Sequence, residues 1–286
     1  MRLQVETETG MSDIVRKVVD LLKDTRGLEA IVLGGSRARG THGPDSDFDI
    51  GLYYDKDNID FSLLEAKAQE LDQEHRENLL ARPGEWGKWQ NGGCWITIDD
   101  LPVDFIMRDV CRVQAAIQEC QEGIVTPHYQ TGHPHAYLNV MYMGELAVCK
   151  LLWHRDDEIR ELKRFAEEYP PRMKAEIIHL FSFETGFSLM LAEKNIPRDD
   201  SYYVVAHLVR SVSALNQVLF ALNEQYCINE KKAVKMIDAF AIRPDNYKNR
   251  IDMIFALAGT DPAKSCNLVK ELMADANNLL NLHYSS

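Results

Sequence analysis

Residues 34–40 read GGSRARG, and from residue 47 the chain reads DFDIGLYY. The run leading in, LEAIVLG (residues 28–34), is apolar and of strand length, while DFDIGLYY alternates polar and apolar positions among β-formers. The pattern predicts a strand, a tight glycine loop and a second strand. Gly34 and Gly35 admit positive φ and carry no Cβ, so backbone N–H groups of this loop can approach an anion, with the Ser36 hydroxyl as a further donor at the start of a helical turn. An ordinary turn has the same composition. Neither GxxxxGK[ST] nor GxGxxG is present.

The acids that follow give the loop its interest. Asp47 and Asp49, two apart in a strand, point to the same side about 6.5–7 Å apart, so both can serve one hard cation or a pair of them. Mg²⁺ suits them best, because it is commonly held by a few carboxylates plus phosphate oxygens. Solvated acids at a strand start have the same spacing. Asp104 stands in VDFIMRD, a β-run so apolar that an acid buried there unpaired would be costly, which puts it at a solvent-facing rim or beside a cation. Arg37 and Arg39 offer forked donors to phosphate, but residues two apart in a helical turn face different ways. At most one reaches a phosphate directly; the alternative is solvent or a loop acid such as Asp45. Arg108 has the parity of Asp104 and either meets substrate or makes a structural ion pair.

Outward from this segment, the first half mixes the two kinds of element. IVRKVVDLLKD (residues 14–24) has helical spacing behind Ser12, a suitable N-cap; Asp60 to Leu80 reads as helical; CWITIDD and VDFIMRD read as strands joined by a turn at residues 99–102. From residue 136 onward the segments are long and amphipathic with almost no β pattern, AYLNVMYMGELAVCKLLW among them, and they predict a bundle of five or six helices. The boundary falls between 125 and 135. HYQTGHPHAY, at that boundary, holds His128, His133 and His135; with no second cluster at zinc spacing it reads as a polar linker, with His135 a candidate to contact substrate.

The chain has 286 residues, 45% hydrophobic and 27% charged, enough for two modest domains. Its formal net charge of −12 repels polyanions, which argues against a nucleic-acid partner and for a small, preferably cationic, substrate. The six cysteines show no close pairs, no apolar run suggests a membrane span, and the N-terminus lacks an apolar signal core. The expectation is a cytoplasmic protein with free thiols.

Strand, Gly34-Gly35-Ser36, a strand carrying Asp47-Phe48-Asp49 and a later strand carrying Asp104 together resemble the nucleotidyltransferase superfamily typified by DNA polymerase beta. The loop with DSDFDI is most similar to the small-molecule branch, the aminoglycoside and lincosamide nucleotidyltransferases. These motifs span about residues 28–108. The resemblance implies an α+β chain: a nucleotidyltransferase domain of mixed sheet and flanking helices (residues 1–130), then a C-terminal all-helical bundle (residues 131–286). It implies two Mg²⁺ ions on Asp47, Asp49 and Asp104, ATP or another nucleoside triphosphate as co-substrate, and transfer of the nucleoside monophosphate to a hydroxyl of a small-molecule acceptor. Asp104 would also be the general base, and Gly35, Ser36 and one of Arg37 and Arg39 would hold phosphates. In the aminoglycoside enzymes a helical-domain glutamate can serve as base, which makes Glu145 a candidate. Two alternatives stand beside this reading. A protein-modifying (AMPylating) enzyme is disfavoured by the fused bundle, and a non-catalytic nucleotide-binding module by the presence of all three acids.

Overall fold

The computed structural model describes residues 13–43 and 46–284. Ser12 and Asp45 lie outside the described residues. The chain opens with α1 (Asp13–Leu22), β1 (Leu28–Leu33), the single turn α2 (Gly35–Ala38) and β2 (Phe48–Tyr54). Next come α3 (Phe61–Leu71), β3 (Gly93–Ile98), β4 (Leu101–Asp109) and α4 (Val110–Glu122). A small ladder, β5 (Pro127–His128) with β6 (Tyr137–Leu138), precedes α5 (Val140–Val148), β7 (Lys150–His154) and α6 (Glu158–Glu167). Then follow α7 (Pro171–Asn195), α8 (Ser201–Leu222), α9 (Ala233–Ile237), α10 (Tyr247–Leu257) and α11 (Pro262–His283).

These elements form two compact units, one from Met1–Gln118 with Tyr142–Glu168, the other from Glu119–Met141 with Tyr169–Ser286. The first is built on a mixed sheet ordered β3-β4-β2-β1-β7, in which β2 and β4 run parallel and the other neighbours antiparallel. One face of the sheet is apolar: Phe48, Ile50 and Leu52 of β2 and Val103, Phe105 and Met107 of β4 pack in one core with Val15, Val18 and Leu22 of α1 and Leu64 and Ala68 of α3. That burial is the main drive to fold this unit. Since side chains alternate along a strand, the odd-numbered positions of β2 and the even-numbered positions of β4 face the other side.

The predicted hairpin between β3 and β4 turns on two residues, Asp99 and Asp100, with φ of 50° and 63°, the geometry of a tight primed turn. Lys17 of α1 donates to Asp99 at 2.6 Å and ties the turn down.

The helix expected from 60 to 80 ends at Leu71. Asp72 stops it: its side chain is buried, and its carboxylate accepts from Arg76 Nε at 2.9 Å, from Arg76 Nη2 at 2.7 Å and from the Thr97 N–H of β3 at 3.1 Å. Helical continuation would take that carboxylate off β3. The Arg76 hydrogen bonds hold the Asp72 carboxyl well below the usual carboxylate range. A depressed folded value means that this stability is fully present above the unfolded pKa and is lost as pH falls below it. Thermal melts between pH 7 and pH 3 are therefore expected to fall below about pH 4 in the wild type and to fall less steeply in Asp72→Asn, from a lower starting point.

The second correction concerns AYLNVMYMGELAVCKLLW. Only Val140–Val148 is helical; Lys150–His154 is β7, paired antiparallel with β1 from Ala30↔His154 to Leu33↔Lys150. A short apolar run satisfies either period, and the free edge of β1 decides for strand. A boundary at 130 would leave β7 among the helices, whereas its pairing puts it in the sheet.

Apart from the β5–β6 ladder the second unit is helical, with a core of Leu189, Leu208, Leu215, Leu219, Tyr247, Ile251, Val269 and Leu272 among others. Its helix starts are chemically explicit. Asp200 accepts from Tyr203 N–H and Asp261 from Lys264 N–H, each at 3.0 Å, and prolines open α7 and α11. Among the described residues only α8 has the length and apolar composition of a membrane span, and 67% of that window is buried within the protein. That is the pattern of a core helix. The observed architecture is α+β, a mixed sheet with flanking helices and a helical C-terminal region.

Candidate active site

The polar face of the sheet is organised in rungs. Parallel pairing of β2 with β4 sets Asp49 directly beside Asp104, on strands about 4.8 Å apart. The rung continues on both sides: Trp95 of β3 stands opposite Asp104, and the Gly34 N–H donates to the Asp49 carbonyl at 2.7 Å. Reading across, the order is Trp95, Asp104, Asp49, Gly34. Asp47 precedes β2 by one residue, exposed and on the Asp49 side by parity. Asp49 and Asp104 are half-buried.

Gly35 shows why the loop needs glycine. Its φ is +57°, and a Cβ there would lie 1.7 Å from Asp49 Oδ2 and 2.5 Å from its Cγ. The glycine backbone is thus pressed against the Asp49 carboxylate. Gly34 differs: its φ is −109°, and a Cβ would find the Asp49 carbonyl at 3.6 Å, ordinary contact. Ser36 lies inside the one-turn α2, whose N-cap is Gly34, and Arg39 is the C-cap.

Arg37 is engaged elsewhere than on the expected phosphate. Its Nη2 donates to the Ser46 carbonyl at 2.6 Å, its Nε to Ser46 and Asp47 carbonyls at 3.1 and 3.2 Å, and its guanidinium lies 3.7 Å from the Phe48 ring centroid. It fixes the segment that carries Asp47.

Two rungs further along β4, Arg108 is 2% exposed and makes a fork to Glu145 of α5, both hydrogen bonds 2.7 Å, with a third donation to the Gln90 carbonyl at 3.3 Å. Of the two readings of Arg108, the structure has the ion pair. Glu145 belongs to the first unit rather than to the helical one, and its carboxylate is spoken for. Beside them, Tyr53 is buried and Tyr142 donates to the Trp89 carbonyl at 2.7 Å, so α5 covers this end of the face. His135 lies in the second unit, its side chain buried and 3.2 Å from Glu184, with its N–H donating to Glu230 at 2.8 Å. A hollow lined by Lys17, Asp20, Glu70, Gln73, Asp99 and Asp100 opens among α1, α3 and the hairpin, on the side of the apolar face, and shares no residue with the carboxylate rung.

Among the described residues no three Asp, Glu, His or Cys side chains converge tightly enough to hold a metal by themselves. The donor set nevertheless fits a hard divalent cation. Two carboxylates in register with a third nearby supply oxygens only, and Mg²⁺ usually completes its shell with water and substrate phosphate instead of an all-protein cage.

The parallel β2–β4 pair thus carries adjacent acids beside a Gly-Gly-Ser turn. Residues 15–113 match the family model described as the nucleotidyltransferase domain, which covers both strands and all three acids. By that match this stretch is a nucleotidyltransferase domain. A search of curated proteins finds no match. Among solved structures, a nucleotidyltransferase-like protein from Exiguobacterium sibiricum aligns with a TM-score of 0.42 at 9% identity, covering 96% of this chain and 75% of that one. A spectinomycin adenyltransferase from Enterococcus faecialis, solved with ATP and spectinomycin, aligns with a TM-score of 0.35 at 14% identity, covering 93% of this chain and 97% of that one. The assignment rests on the domain match and the geometry, not on these two.

Proposed function

We propose that the chain moves a nucleoside monophosphate from ATP or another nucleoside triphosphate to a hydroxyl of a small molecule, with the Asp49–Asp104 rung as its catalytic centre and Asp47 as third metal ligand. The observation that carries the reading is the register itself, Asp49↔Asp104 with Gly34 and Gly35 against Asp49. Magnesium on these acids would neutralise triphosphate charge and lower the pKa of the acceptor hydroxyl.

The chain's own groups do the rest. Gly35 N–H and the Ser36 hydroxyl hold the departing phosphates, and the carboxylate end of the polar face admits the acceptor. Asp104, one strand away from Asp49, accepts the acceptor's proton. As the acceptor oxygen bonds to the α-phosphorus, the bond from that phosphorus to the bridging oxygen breaks and pyrophosphate leaves on the opposite side. The net charge of −12 supports a small acceptor over a polyanion.

Arg37 acts by positioning. Arg37→Ala removes the donors to the Ser46 and Asp47 carbonyls and is expected to lower transfer about tenfold, mostly through weaker metal binding that higher Mg²⁺ offsets, with Arg37→Lys an incomplete rescue because lysine lacks the fork. Metal titrations of pyrophosphate release check this. The test of the function is incubation with Mg²⁺, labelled triphosphates and a panel of hydroxylated small molecules. Acceptor-dependent pyrophosphate release that Asp49→Asn abolishes supports it; nucleotide binding without transfer or metal dependence sinks it.

A further inference from the structure

Trp95 is the one side chain of this rung with no part in the chemistry above. It stands opposite Asp104 across an antiparallel pair, so the two side chains share a face within about 5.5 Å at Cα. Its flanking residues Cys94 and Ile96 are buried in the core, yet Trp95 is 61% exposed. The ring is held nonetheless. Trp86 stacks on it with centroids 4.4 Å apart and planes 21° apart. Trp86 is in turn seated over Gly93, where a Cβ would come within 3.0 Å of the Trp86 ring and 1.8 Å of the Phe105 carbonyl. Arg76, itself fixed by Asp72, donates to the Trp95 carbonyl at 3.1 Å.

Resting on the proposed function, we infer that the Trp95–Trp86 stack is the acceptor-side wall of the site and selects acceptors that present a ring face. The order of the rung carries the assignment. Phosphates belong at the Gly34–Gly35 end, and in an in-line displacement the attacking oxygen lies opposite the leaving pyrophosphate, which is toward Asp104 and Trp95. A ring laid against Trp95 brings an edge hydroxyl to Asp104. An immobilised indole pair supplies that contact at little entropic cost.

The test compares wild type, Trp95→Ala, Trp95→Phe and Asp49→Asn. MgATP binding is measured by calorimetry, and pyrophosphate release with a panel of monosaccharides and cyclitols. Trp95→Ala is expected to raise the KM for ring acceptors about tenfold with kcat little changed, to leave the MgATP Kd within about twofold, and to be largely rescued by Trp95→Phe. Equal weakening of MgATP would overturn the inference, giving the wall to the nucleotide. So would wild-type transfer to none of the ring acceptors, or ring acceptors indifferent to Trp95→Ala. If Asp49→Asn still abolishes transfer in that last case, the catalytic reading stands and only the wall falls; if Asp49→Asn leaves transfer intact, the catalytic reading fails first.

Discussion

Asp104→Asn is expected to cut nucleotide transfer by about 10³-fold or more while leaving the fold intact. The substitution keeps the size and shape of the side chain and removes only its charge and basicity. Both losses fall on the same step. On the proposed mechanism, a cation held with Asp49 would lose one of its two ligands in register without the charge, and the acceptor hydroxyl would keep its proton without the basicity. Because Asp104 is only half-buried, the amide that replaces it still finds solvent, and the melting temperature should move little. Pyrophosphate release and a thermal melt on the same preparation check both halves. An active Asp104→Asn enzyme would leave the rung without a catalytic role.

Gly35→Ala should do nearly as much damage by a different route. At φ +57° an alanine costs about 1–2 kcal/mol, a modest loss of stability. The larger effect is positional. The added Cβ would sit 1.7 Å from Asp49 Oδ2, and the group that gives way is the end of that carboxylate. Yielding there is cheap for the fold and expensive for catalysis, because a metal ligand turned from its place loses about 10²-fold or more in rate. Gly34→Ala is the internal control: its φ of −109° suits any residue, and its Cβ contact is ordinary. Activity and melting temperature for the two variants should therefore diverge, with Gly35→Ala far worse in rate than its stability loss explains.

Much of this was legible in the chain. The strand, loop and strand around GGSRARG and DFDI follow from composition and period, and the acid in VDFIMRD is singled out by its conjunction with that loop and the paired aspartates. What could not be read is register. That Asp104 meets Asp49, that Trp95 meets Asp104, and that Arg108 meets Glu145 from 37 residues away all depend on pairings that local pattern does not encode. The partners of Arg37 are hidden for the same reason. Guanidinium chemistry suits phosphate and backbone carbonyl alike, and the path of residues 46 and 47 beneath it decides between them. The strand β7 was hidden because Leu151, Leu152 and Trp153 fit an apolar helix face as well as a sheet edge, and only the unpaired side of β1 selects the latter.

The central claim is that Asp49 and Asp104 share a divalent cation against which a triphosphate is held by Gly35 and Ser36. Crystals grown with Mn²⁺ and α,β-methylene-ATP, measured at the manganese absorption edge, test it directly. The expected result is an anomalous peak coordinated by both carboxylates, with the terminal phosphates of the analogue against the Gly35 N–H and the Ser36 hydroxyl. Manganese bound by other acids, such as those around Asp99 and Asp100, or nucleotide bound away from the Gly34–Ser36 loop, would contradict it.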